Sequence, residues 1–121
     1  MVSQTLAREV SQMEAELCSA FADATRILIL YTLDEQPRTV GELTTELAIP
    51  QSSTSRHLKI LRERGLVVAI RQGNSTEYRI ADHRLIEALD ILRSLLRDRV
   101  SHRASLMEEV QSESDSMASP T

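Results

Sequence analysis

Pro50 and Gly65 fence off the stretch that most limits what this chain can become. The residue before a proline is steered away from helical backbone, and a glycine in the left-handed region is a common helix stop. PQSSTSRHLKILRERGLV (50–67) therefore predicts one helix that begins near Gln51 or Ser52 and runs to Arg64. Past Gly65 the apolar spacing shortens from a helical repeat to an extended one. Leu66, Val67, Val68, Ala69 and Ile70 read as a strand, Gln72-Gly73-Asn74-Ser75 as a turn, and Thr76 to Ile80 as the returning strand, with Tyr78 and Ile80 on one face.

Upstream, residues 3–18 read as an amphipathic helix, because Leu6, Val10, Met13 and Leu17 recur at steps of four and three. Residues 22–34 form a more buried helix, with Asp23 or Thr25 as its cap and Ile27, Leu28, Ile29, Leu30 and Leu33 filling it. Asp34-Glu35-Gln36-Pro37 stops it. Thr39 followed three residues later by Glu42 is a capping box for a short third helix, which turns Leu43 and Leu47 inward and ends at Ile49-Pro50. After the hairpin, a last helix starts near Asp82 and runs at least to Val100 on a stripe of Leu85, Leu89, Leu92, Leu96 and Val100. The polar end, QSESDSMASPT, is expected to be disordered. The reading is a mainly α chain with a small β-hairpin, in the order α-α-α-α-β-β-α. Residues 1–110 form one domain and 111–121 a tail. Two short helices, a brief turn and a hairpin are the order of a winged helix-turn-helix.

Charge narrows the function. The net charge is −4, yet residues 51–79 carry Arg56, Lys59, Arg62, Arg64, Arg71 and Arg79 against only Glu63 and Glu77. Placement of basic charge matters more than its total for nucleic acid. At 100° per residue, Thr54, Leu58 and Leu61 share the packing side of the fourth helix. Ser52, Ser55, Arg56 and Lys59 lie opposite. Small hydroxyls let a helix N-terminus approach phosphate closely. Arg56 can fork onto guanine, and Gln51 can pair with adenine. This composition suits a recognition helix in a major groove, with double-stranded DNA as partner.

Here the sequence resembles the ArsR/SmtB family of bacterial and archaeal repressors, through FADATRILIL (21–30), SRHLKILRERGLV (55–67) and GNSTEYRI (73–80). The likeness covers roughly residues 15–98. It implies a homodimer on a palindromic operator, with the first and last helices at the interface. The stripes Leu6, Val10, Met13, Leu17 and Leu85, Leu89, Leu92, Leu96 support this separately, being more apolar surface than so small a core needs. The expected DNA contacts are Gln51, Ser52, Ser53, Ser55, Arg56, His57, Lys59 and Arg62 on the helix, and Arg71, Gln72, Asn74 and Ser75 on the wing. For His57 two roles stand open, a backbone contact or a structural hydrogen bond.

The family's metal sensors set a further test. Their cysteine positions before the recognition helix fall on Thr39, Gly41 and Thr44, which offer no thiolate. Their zinc positions on the last helix fall on Asp82, Arg84, Leu95 and Asp98, so both imidazoles are missing and His83 is one residue out of register. No metal and no cofactor is expected, and the effector is open. Cys18 is the lone cysteine, read as a small buried hydrophobe, with redox sensing as the alternative. His83 and His102 read as surface residues. An enzyme is not expected, since no oriented triad, phosphate loop or acidic metal cluster is present. A protein-interaction module is the other alternative. With no apolar run near the roughly 18 residues of a membrane span, and MVSQTLAREV unlike a signal peptide, the protein is expected in the cytoplasm.

Overall fold

The computed structural model describes residues 1–118, and side chains through residue 114. Helix α1 (Gln4–Met13) starts at Ser3, whose Oγ accepts the Leu6 amide at 3.1 Å. A π turn (Glu14–Cys18) and a 3₁₀ turn (Ala20–Ala22) follow. Helix α2 (Ala24–Glu35) is capped by Asp23, whose Oδ1 accepts the Thr25 amide at 2.8 Å. The Thr25 amide bond holds the Asp23 carboxyl below its ordinary pKa, against a smaller opposing effect of burial, and the charges of His57 and Arg26 add to the lowering. Ile29, Leu30 and Leu33 are buried on α2, but Leu28, expected in the interior, is 54% exposed.

Extended backbone at Gln36 leads through Pro37 into a two-residue strand, β1 (Arg38–Thr39), which the sequence reading leaves out. Two residues carry no periodicity to read. Arg38 is nevertheless buried, donating to Glu46 at 3.0 Å and to the Gln36 carbonyl at 2.6 Å. Helix α3 (Val40–Leu47) begins with the expected capping box, Thr39 and Glu42 each accepting the other's amide at 3.2 Å. It ends two residues earlier than Ile49-Pro50 suggests. Ala48 takes the left-handed conformation, φ 53, and the Ile49 and Ala48 amides close back onto Thr44 and Thr45. A turn this tight is usually glycine's.

Helix α4 (Gln51–Glu63) opens at Pro50 and closes at Arg64, with Gly65 at φ 73. Leu66 and Gly65 donate to the Leu61 and Arg62 carbonyls, the paired bonds of a Schellman stop. Strands β2 (Val67–Gln72) and β3 (Ser75–Ile80) pair antiparallel with Gln72 opposite Ser75, and β3 also pairs with β1, giving the order β1-β3-β2. Gly73 at φ 61 starts the two-residue turn, as a II′ hairpin requires. Leu43, Leu58, Leu61, Leu66 and Val67 complete a core with the α2 residues.

Helix α5 (Arg84–Ala118) follows Asp82, whose Oδ1 accepts the Arg84 amide at 2.9 Å. It continues through residues 111–118, which the sequence reading assigns to a disordered tail; residues 119–121 of that tail lie outside the described residues. Ser and Asp make up half of residues 111–118 and are weaker helix formers than the Glu and Gln among them, but each added residue contributes one hydrogen bond to a helix already nucleated. The chain divides into two compact units, Met1–Ile86 and Glu87–Thr121. Within the second, Ile91, Leu92, Leu95, Leu96, Val100, Leu106, Met107 and Val110 are exposed. Among the described residues no helix is long and apolar enough to cross a membrane.

Candidate nucleic-acid interface

Helix α4 presents two stripes. Thr54, His57, Leu58 and Leu61 are buried, at spacings of three and four. Gln51, Ser52, Ser55, Arg56, Lys59 and Arg62 are exposed on the other side. The buried stripe fixes the helix in place. Thr54 is fully buried, and its Oγ1 accepts from Thr44 Oγ1 at 2.9 Å, bonding α3 to α4 across the turn. Its own hydroxyl turns back to the Pro50 carbonyl at 3.3 Å. Pro50 supplies no side-chain cap, so the start of α4 keeps its positive end for an outside group.

Eleven of the twelve expected DNA contacts are at least partly open; Ser53 is half-buried, and the remaining ten are exposed. On the hairpin, Arg71, Gln72, Asn74 and Ser75 are all exposed around the turn. His57 is the exception, only 5% exposed and part of the packing stripe. Its Nδ1 lies 3.4 Å from Arg26 Nη1. Of the two roles left open for it, the structural one fits, and the backbone-contact role is corrected. Its place three residues after Thr54 and next to Leu58 is the signal that could have shown this. Burial lowers the His57 pKa, Asp23 opposes that, and Arg26 and Arg56 add to it.

Arg64, counted in the basic cluster, is exposed but donates through Nη1 to the Ala15 carbonyl.

The apolar stripes divide as well. Leu6, Val10 and Met13 are exposed on α1 and Leu17 is half-buried. On α5, Leu92 and Leu96 are exposed, but Leu85 is half-buried and Leu89 only 6% exposed, so Leu89 is corrected from an open interface position. Ile91 and Leu95 are exposed too, although the line of steps from Leu85 to Val100 does not pass through them. Cys18 is exposed at the end of the π turn, not buried as expected.

At the family's zinc positions, Asp82 and Arg84 pair with each other. Arg84 Nη2 meets Asp82 Oδ2 at 2.7 Å, and Arg84 Nε lies within 3.2 Å of both carboxylate oxygens. These bonds hold the Asp82 carboxyl at about 2. The Arg84 guanidinium thus engages both oxygens of the carboxylate. His83 Nδ1 is engaged with Asp34 Oδ1 at 2.6 Å.

A short helix, a tight turn and a second helix with one open cationic face, followed by a two-stranded wing, define a winged helix-turn-helix protein. The family model described as "Bacterial regulatory protein, arsR family" matches residues 23–68. The HTH-type transcriptional repressor SmtB of Mycobacterium tuberculosis is 44% identical over 78 residues, 64% of this chain and 58% of SmtB. The match thus spans under two thirds of that relative. The HTH-type transcriptional regulator Rv0081 of the same species is 35% identical over 101 residues, 83% of this chain and 89% of the relative. The crystal structure of Rv0081 aligns with a TM-score of 0.71 over 78% of this chain and 96% of that chain. The solution structure of the homodimeric winged helix-turn-helix DNA-binding domain Mb0332 from Mycobacterium bovis is 27% identical, with a TM-score of 0.71 over 84% and 93% of the two chains. The chain belongs to the ArsR/SmtB family of transcriptional regulators, a family of regulators and not of enzymes.

Proposed function

We propose that the protein is a homodimeric, sequence-specific repressor that lays α4 in the major groove of a palindromic operator. The observation that carries this reading is the division of α4: one stripe is sealed in the core, and the other offers Gln51, Ser52, Ser55, Arg56, Lys59 and Arg62 to solvent. Arg56 and Gln51 read base edges, the uncapped start of α4 and its serines meet phosphate, and Lys59 and Arg62 add cationic contacts. Arg71, Gln72, Asn74 and Ser75 clamp the backbone from the wing. Phosphate contacts of this kind set register without specifying sequence.

A second copy covers the open apolar residues of α1 and α5, Leu6, Val10, Met13, Leu92 and Leu96 among them. A two-fold pair then sets two α4 helices about 34 Å apart or a multiple of it. Support for the dimer comes from the homodimeric Mb0332 domain, and support for repression from the repressor SmtB. The work is done in the cytoplasm, where the chromosome lies. With Asp82 held by Arg84, control does not run through a transition metal at the α5 positions, and adding zinc leaves operator affinity unchanged.

The test uses the DNA upstream of the protein's own coding region. Purified protein binds an imperfect palindrome there, and light scattering of the complex gives two chains per duplex. One chain per duplex removes the dimer. Indifference to that region and to every other duplex at low ionic strength removes the DNA reading.

A further inference from the structure

We propose that Arg64 is a positioning residue and not a DNA contact: it ties the end of the recognition helix to the N-terminal segment through a carbonyl that the π turn sets free. In an α-helix the amide of residue 19 would donate to the carbonyl of residue 15. Here the Ser19 amide reaches one residue further back, to the Glu14 carbonyl at 3.1 Å. The Ala15 carbonyl thereby loses that backbone donor. Two side chains take it: Ser19 Oγ at 2.6 Å and Arg64 Nη1. Arg64 is the closing residue of α4, directly before the Gly65 stop, so its guanidinium is attached where the helix is most firmly ended. A charged donor makes such a bond stronger than a neutral one.

A second guanidinium acts on the next turn of the same segment. Arg26 Nε donates to the Ala20 carbonyl at 2.7 Å and Nη2 to the Ser19 carbonyl at 3.3 Å. Its Nη1 faces His57 on the buried stripe of α4. Residues 15–20 are thus linked to α4 at its end and at its middle. Ahead of them, α1 carries the exposed Leu6, Val10 and Met13.

π turns are rare and are often found at functional places. A shift of this turn to the α register would return the Ser19 amide to the Ala15 carbonyl, where it would compete with Arg64 for the two lone pairs, and would rotate the α1 stripe by about 100°. This inference rests on the DNA-binding reading of α4.

The experiment compares full-length wild type, Arg64→Gln, Arg64→Lys and Arg62→Ala on a fluorescein-labelled duplex of the protein's own upstream region across a salt series. Amide spectra of the free proteins are recorded in parallel. Arg64→Gln weakens binding about threefold to thirtyfold with the salt slope unchanged, and Arg64→Lys recovers part of the loss. Arg62→Ala, which removes a phosphate contact, lowers the slope by about 0.9. The amides of residues 15–19 move in Arg64→Gln and stay in Arg62→Ala. Unmoved 15–19 amides, an unchanged affinity, or a slope that drops in Arg64→Gln as it does in Arg62→Ala overturns the proposal. A wild type that binds no duplex overturns the DNA reading instead, and the amide comparison still decides whether Arg64 holds Ala15.

Discussion

Along α4, Thr54, His57, Leu58 and Leu61 are sealed from solvent, while Ser52, Ser55, Arg56, Lys59 and Arg62 stand open on the opposite side. The same thirteen-residue helix therefore serves two purposes with two kinds of residue. The closed side holds branched aliphatics and polar groups that find partners within the chain. The open side holds small hydroxyls and long cations with apolar stems, which suit an external polyanion. Substitutions on the two sides should have separable effects: the closed side sets how firmly the helix is held, and the open side sets what it binds.

The largest effect tests the closed side. Leu61 is fully buried, so Leu61→Ala should lower stability by about 2–5 kcal/mol in urea unfolding. A loss under 1 kcal/mol would mean the stripe is less tightly packed than it looks here. On the open side, Arg56→Ala should weaken binding to a specific site by about 1–3 kcal/mol and relax one base preference, with the thermal midpoint unchanged. Arg71→Ala on the wing should weaken all sequences about equally. The reverse pattern would exchange reader and clamp.

His57 sharpens the comparison through pH. Its pKa is lowered by burial, so an unfolded chain takes up a proton near the ordinary value of 6.5 while the folded one resists. Protons then favour the unfolded state, and stability should fall as pH drops below 6.5 toward the folded value. His57→Gln should flatten that part of the profile relative to wild type. An unchanged profile would place His57 in solvent, on the open side. The smallest effect lies in the turn that precedes α4. Ala48 occupies left-handed backbone at φ 53 and ψ 47. Ala48→Gly should raise stability by about 0.5–1 kcal/mol, since relief of the left-handed penalty exceeds the added freedom of the unfolded chain. A destabilised variant would show that the Ala48 methyl contributes more than its backbone costs.

What the sequence disclosed follows from the range of each signal. Pro50, Gly65, the Thr39–Glu42 box and the Gly73-Asn74 turn act over a few residues, and the structure keeps each of them. The wing and the recognition helix were legible for that reason. The π turn was not, because a one-residue widening of a helix leaves the apolar repeat of Leu6, Val10, Met13 and Leu17 nearly intact. Strand β1 was too short to show a period. The inward turn of Arg38 depends on Glu46, eight residues away, and the tie of the exposed Arg64 on Ala15, forty-nine residues away. Such pairings are set by the fold and leave no trace at short range. Leu28 teaches the converse: an unbroken apolar run on α2 gives no indication of which member faces out.

The most direct measurement is the affinity of the full-length protein for duplex DNA as salt is raised. If the open side of α4 and the wing neutralise phosphates, the logarithm of the binding constant should fall linearly with the logarithm of salt, by about 0.9 for each phosphate engaged. Binding that stays level across the same salt series, or no binding at its low end, would contradict a role for that cationic face in holding DNA.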